Sequence, residues 1–328
     1  MVGSYREEMN AIGGYFELAD YELGKGFPHS EGILLNTGRN ALEYILRTIN
    51  VVKVIFLPFY TCEVVLEPLR KLNIPWRFYH IDSLFEMAED ITPKNGEYII
   101  ANNYFGIKDS YIRSLAKKYG NHLIVDCAQA FFAKPILGIK SFYSTRKYLG
   151  VADGGVVYGA ETDNSLLLEE DVSSLHNSHL FIRKVHGAEA GFQEYQLNEA
   201  KLNNQPIRRM CNDTLDRLRH IDYEKVIDRR RKNYTYLHDA LKDVNCLRLP
   251  DIASFSCPMV YPFLSGIDKN LRKKLIENKI FVAKYWPSVS WVSGYDTEYN
   301  LSERVIAIPC DQRYGKQEME RIINCILR

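Results

Sequence analysis

Almost no net charge remains on this chain, because 42 Lys and Arg stand against 41 Asp and Glu over 328 residues. No overall field therefore favours nucleic acid, an anionic membrane or a strongly acidic partner, and any basic site must be local. No apolar run approaches the roughly 20 residues of a membrane-spanning helix, and the opening MVGSYREEMN carries acids where a secretory signal needs an apolar stretch. No membrane contact and a cytoplasmic location are expected. The seven cysteines are scattered without a C-x-x-C pair, and the eight histidines show no H-x-x-x-H spacing. A disulfide frame, a zinc site and a metal catalyst therefore have no support, and the cysteines read as reduced core thiols. Repeats, low-complexity tracts and proline-rich linkers are also missing, so domain boundaries must come from the order of elements.

What is present is a large apolar fraction, 46% of side chains, in a chain long enough for about two domains. Helical spacing of Ala41, Leu42, Ile45, Leu46 and Ile49 follows Thr37-Gly38-Arg39-Asn40 and leads to a strand-like run, Val51 to Leu57. A helix over Glu63–Leu72, a strand from Trp76 to Ile81, and apolar runs at Tyr98–Ala101 and His122–Val125 flanking a helix at Ser110–Tyr119 continue the alternation. That order implies a mostly parallel sheet covered on both faces, with ligands at the carboxyl ends of its strands. From Leu215 the texture changes. A charged helical segment runs to Leu241, followed by strand-like pieces at Met259–Leu264 and Ile280–Lys284 and an amphipathic helix at Lys316–Leu327. The expected division is an arm over 1–30, a large α/β/α domain over 31–214 and a small α+β domain over 215–328.

Three places carry chemistry. Asp126 directly follows an apolar strand, where a carboxylate can pair with a protonated pyridine nitrogen. Lys147 stands among small and hydroxyl residues, a setting in which an amine can form an imine with an aldehyde, and Gly154-Gly155 follow it. The helix start at Gly38, Arg39 and Asn40 offers amide hydrogens and a positive dipole end to a phosphate, with Ser144 as a hydroxyl donor. The basic run Arg229-Arg230-Arg231-Lys232 has acids nearby and reads as a solvated helix face.

In order along the chain, GGYFELADY, NTGRNALEYIL, LPFYTCEVVLEPL, VDCAQAF, FYSTRKYLGVADGGVVYG and IPCDQRYGKQEMERI resemble the segments of DegT-type (DegT/DnrJ/StrS) sugar-nucleotide aminotransferases. The resemblance implies a pyridoxal 5'-phosphate (PLP) enzyme of the aspartate-aminotransferase fold, fold type I. It also implies a homodimer with active sites at the subunit interface, moving an amino group from glutamate or glutamine to a keto-sugar nucleotide. By that resemblance Lys147 is the Schiff-base lysine, Asp126 the acid on the pyridine nitrogen and Gln129 a neighbour of the ring hydroxyl. Gly38, Arg39 and Asn40 form the phosphate turn, and Tyr285 lies near the sugar. The serine run stands one residue farther from the lysine than is usual, which leaves Ser141 or Ser144 for the phosphate. Cys62 occupies the usual place of the ring-stacking aromatic, leaving Tyr60 or Tyr104, and Ile207-Arg208-Arg209-Met210 stands where the family often has Asn-Tyr-Arg-Met. A PLP lyase or dehydratase, or a non-catalytic dimeric binding protein of the same fold, are the competing readings.

Overall fold

The computed structural model describes residues 10–20, 24–167, 169–172, 175–268, 270–289 and 293–328. Nearly all of MVGSYREEMN, and Tyr21 at the end of GGYFELADY, lie outside them. Among the described residues no helix is long and apolar enough to cross a membrane.

The arm holds β1 (Ile12–Gly13), and β2 (Ile33–Leu35) leads into α1 (Gly38–Thr48). There follow β3 (Val54–Pro58), α2 (Leu66–Lys71), β4 (Trp76–Tyr79), β5 (Glu97–Asn102), α3 (Asp109–Tyr119), β6 (Leu123–Cys127), β7 (Lys140–Ser144) and β8 (Gly155–Tyr158). Helices then dominate: α4 (Ser178–His186), α5 (Phe192–Lys201), α6 (Asn212–Arg219) and α7 (Tyr223–Leu241). The chain closes through β9 (Val260–Phe263), α8 (Leu271–Glu277), β10 (Ile280–Phe281), α9 (Asp296–Arg304), β11 (Ile306–Pro309) and α10 (Lys316–Leu327).

Seven strands form the central sheet in the order β2-β8-β7-β6-β5-β3-β4. From β4 to β7 every pairing is parallel, whereas β8 runs against both its neighbours, β7 and β2. The carboxyl ends of β2, β3, β5, β6 and β7 therefore open on one edge. Side chains alternate faces along each strand. Ile124 and Phe142 join the buried residues of α1 and α2 on one face, while Leu123, Val125, Cys127 and Tyr143 join a cluster that includes α3 and the C-terminal helices. With both faces covered, the strands can be apolar throughout.

Several boundaries differ from the sequence expectation for local reasons. The charged segment expected as one helix from Leu215 is two, because Asp222 caps α7 by accepting from the Lys225 N–H at 3.1 Å. The step from 214 to 215 lies inside α6. The first turn of the Glu63–Leu72 helix is 3₁₀, and Pro68 sits in the first turn of α2, where its missing N–H leaves no helical bond unmade. Of Ile280–Lys284 only Ile280–Phe281 is strand, paired in parallel with β1 of the arm. The run 229–232 is a solvated face only at Arg229 and Lys232. Arg230 is fully buried, and Arg231 donates to the carbonyls of Ile252, Phe255 and Ser256. Among the cysteines, Cys127, Cys257 and Cys310 are core thiols, but Cys246 is exposed.

Candidate active site

Parallel strands deliver the chemistry to one edge. Asp126 is the penultimate residue of β6 and is buried, with its carboxylate accepting from the Ala128 N–H at 2.8 Å. Burial pushes its pKa above the usual carboxylate range, and the Lys147 ammonium opposes that rise. The amine and the acid therefore share one field. Lys147 is half-buried in the turn that follows β7. That turn is closed at its neck: the Thr145 N–H bonds the Gly154 carbonyl at 3.1 Å, and the Thr145 hydroxyl bonds the Asp153 carbonyl at 2.9 Å.

The start of α1 lies beside the same turn. Thr37 caps it, accepting from the Asn40 N–H at 3.1 Å, which leaves the first N–H groups, at Gly38 and Arg39, without helical acceptors. A Cβ on Gly38 would stand 3.7 Å from the Cβ of Ser144, so that serine borders the helix start. Ser141, three residues earlier on β7, points to the opposite face and is buried there. The side chains of Arg39 and Asn40 are engaged elsewhere. Arg39 reaches Glu67 at 3.2 Å and Asn203 at 2.6 Å, while the Asn40 amide donates to the carbonyls of Gln205 and Pro206. Gly155 lets β8 approach here, since a Cβ on it would stand 2.2 Å from the Thr37 carbonyl oxygen.

Gln129 accepts from the Phe105 N–H through Oε1 at 2.9 Å, while its buried Nε2 has no partner. Tyr60 and Tyr104 stack on each other at 5.8 Å, and both meet Trp286, at 4.6 and 5.7 Å. The Tyr104 hydroxyl donates to the Tyr60 carbonyl, and the Tyr104 phenol senses the charge of Asp126. Cys62 is half-buried just beyond, at the start of the 3₁₀ turn. Tyr285 joins the cluster from the C-terminal part, 6.0 Å from Phe105. Phe85, Phe105 and Trp286 all have positive φ, concentrating backbone strain around these rings. Arg209 is exposed, and its backbone bridges to Leu35 of the same chain.

Sequence reasoning missed two residues. Asn102, the last of β5, sits opposite Asp126 in the sheet. Its Nδ2 donates to the Thr61 hydroxyl at 2.9 Å and its buried Oδ1 has no partner. A polar residue ending an apolar strand, as Asp126 does, was the available signal. Asp153 is fully buried, accepts from the Cys211 N–H at 2.8 Å and from the Thr214 hydroxyl, and burial pushes its pKa up to about 7. Its tertiary partners are distant in sequence, so no local pattern marked it.

An acid at a strand end, an amine in the neighbouring turn, unpartnered amide atoms on Gln129 and Asn102, and a helix start whose first N–H groups lack helical acceptors beside a serine fit a phosphorylated pyridine aldehyde. The chain matches the DegT/DnrJ/EryC1/StrS aminotransferase family over residues 29–327. Among curated proteins none matches. Among solved structures, a DegT DnrJ EryC1 StrS aminotransferase from Brucella abortus is 19% identical, covers 90% of this chain and 84% of its own, and has a TM-score of 0.59. DesI, solved with its TDP-sugar product, is 17% identical over 90% of this chain and 79% of its own, with a TM-score of 0.58. A Streptococcus pneumoniae protein described as a candidate sugar aminotransferase, in its PLP form, is 14% identical over 90% and 86%, with a TM-score of 0.63.

Proposed function

The chain belongs to the DegT/DnrJ/EryC1/StrS aminotransferase family and is a PLP-dependent aminotransferase. On that premise we propose that it moves an amino group from glutamate or glutamine to a keto-sugar nucleotide. The product would be an amino sugar for a surface polysaccharide or a glycosylated metabolite, made in the cytoplasm. The observation that supports the site is geometric: Asp126 stands at the end of β6 and Lys147 in the turn after the neighbouring parallel strand β7, both at the carboxyl edge of the sheet. The sugar nucleotide itself is supported by family membership and by the TDP-sugar named for DesI.

Bound here, PLP supplies an aldehyde for the lysine and an electron sink for the carbanion that amino transfer requires. Asp126 Oδ atoms would accept from the protonated pyridine nitrogen, and the Lys147 charge opposes the rise that burial gives the carboxyl's pKa. Gln129 Nε2, buried without a partner, would donate to the ring hydroxyl. Ser144 and the N–H groups of Gly38 and Arg39 would hold the phosphate, with Ser141 left in the core. The side chains of Arg39 and Asn40 shape that turn through Glu67, Asn203 and the 205–206 carbonyls. Tyr104 and Tyr60, stacked on each other, would flank the ring, and Tyr285 would border the sugar. Lys147 Nζ takes and returns the proton at the substrate carbon. A second subunit completes the site as a homodimer.

Reduction of the PLP-loaded protein with borohydride, followed by peptide mapping, tests the assignment. The label is expected on Lys147, and a label on another lysine sinks the site. Glutamate with a panel of keto-sugar nucleotides tests the substrate class, and amination of simple keto acids alone would overturn it.

A further inference from the structure

Arg230, near the middle of α7, is 0% exposed and is the largest fully buried side chain among the described residues. Burying a cation is expensive unless every donor finds a partner. Here the donors go to neutral oxygens. Nε reaches Gln312 Oε1 at 2.7 Å, Nη1 the Met259 carbonyl at 3.0 Å and the Pro258 carbonyl at 3.3 Å, and Nη2 the Tyr148 carbonyl at 3.2 Å. Asp311, an acid whose charge it helps to stabilise, is itself held by Arg313 at 2.8 Å.

These contacts converge on the residue after Lys147. The Tyr148 carbonyl receives a second donor, Gln312 Nε2, at 2.8 Å, and the guanidinium lies 4.4 Å from the centre of the Tyr148 ring. The hydroxyl of that ring donates to the Gln129 carbonyl at 2.8 Å, three residues beyond Asp126. Gly106 closes the remaining space, since a Cβ there would stand 2.5 Å from the Tyr148 hydroxyl. The N–H groups of Tyr148 and Leu149 both bond the Thr145 carbonyl, so the turn carrying Lys147 moves with the Tyr148 peptide.

We infer that Arg230 is a positioning residue for Lys147, fixing the lysine-bearing turn from the C-terminal half of the chain through the Tyr148 carbonyl and ring. The inference rests on Lys147 being the residue that takes the cofactor aldehyde. A planar fork of five donors can serve carbonyls from several segments at once, whereas an ammonium donates from one point. The role therefore requires arginine geometry as well as charge, which makes Arg230→Lys the discriminating substitution.

The test compares wild type, Arg230→Lys and Gln312→Ala by three readouts: borohydride trapping of PLP on Lys147 at subsaturating cofactor, thermal unfolding of the PLP-free protein, and kcat against KM. Both variants are expected to trap less PLP on Lys147 and to lose more in kcat than in KM. The fall in kcat for Arg230→Lys should be on the order of 100-fold, the scale of a 1 Å misplacement of a reacting group. If trapping and kcat match wild type while only the unfolding temperature drops, Arg230 is structural and the inference is overturned. If Arg230→Lys does not fold, Gln312→Ala decides by the same criterion, because at a half-buried position it removes both the acceptor of Arg230 Nε and one donor to the Tyr148 carbonyl. Wild-type protein that takes its label elsewhere contradicts the proposed site instead.

Discussion

At the scale of residues, the proposed site would set an acid against a base inside a partly dry edge. Asp126 would be neutral more readily if it were alone, because burial raises its pKa, and Lys147 supplies the opposing charge. Asp126→Asn should lower kcat by roughly 100- to 1000-fold, the scale of removing one preorganised electrostatic partner, while leaving the Lys147 label in place. A kcat within a few-fold of wild type would reject the acid's role. The two serines make a sharper contrast. Ser144→Ala should weaken PLP binding by about 1.5–3 kcal/mol, a hydrogen bond to a charged group, and Ser141→Ala should leave it unchanged. Fluorescence titration of the apoprotein would separate them, and the opposite ranking would move the phosphate away from α1.

At the scale of elements, α1 meets β7 and β8 edge to edge at Gly38, Ser144 and Gly155, and what lies beneath β7 is titratable. His29 packs under β7 against Tyr143 at 4.6 Å, with Nε2 2.6 Å from the Phe131 carbonyl and Nδ1 3.1 Å from the Tyr158 hydroxyl. Both ring nitrogens are engaged when Nε2 carries the proton and Nδ1 accepts. Burial lowers the His29 pKa to about 4 from 6.5. In that interval the unfolded chain binds a proton that the folded one refuses, so stability is fully present above about pH 6.5 and is lost as pH falls toward about 4. The contribution is about 3 kcal/mol. His179, also lowered to about 4, adds a similar slope, so the readout is a difference between variants. Urea unfolding at about pH 5 and about pH 7 should show a smaller gap in His29→Gln than in wild type. An equal gap would place the pH sensitivity elsewhere.

At the scale of the whole molecule, one chain supplies the acid, the amine and the start of α1. Arg209 is left exposed beside β2. Sedimentation should give twice the chain mass of 38.0 kDa, and a monomer that binds PLP and turns over at full rate would remove the partner from the mechanism. The arm belongs to this scale too. Its β1 pairs with β10, and a Cβ on Gly150 would stand 1.7 Å from the Glu17 carbonyl oxygen, so the arm lies directly on the Lys147 turn.

Periodicity was enough to establish the α/β class and the parallel sheet, because alternating helices and apolar strands admit few other arrangements. The order of Gly38, Asp126, Lys147 and Gly154-Gly155, together with the family segments, pointed to the cofactor and to Lys147 as the candidate for its lysine, since each stands at the end of a recognisable element. Tertiary structure alone decided the rest. It showed that Ser144, not Ser141, borders the helix start, because strand alternation puts them on opposite faces. It placed Arg230 in the core and not on a solvated helix face, because the carbonyls that satisfy its guanidinium come from segments far away in sequence. Asp153 entered for the same reason, whereas Asn102 ends an apolar strand much as Asp126 does. Local pattern fixes what a residue's own element can do, while the partners that hold a buried polar group are known only once distant segments meet.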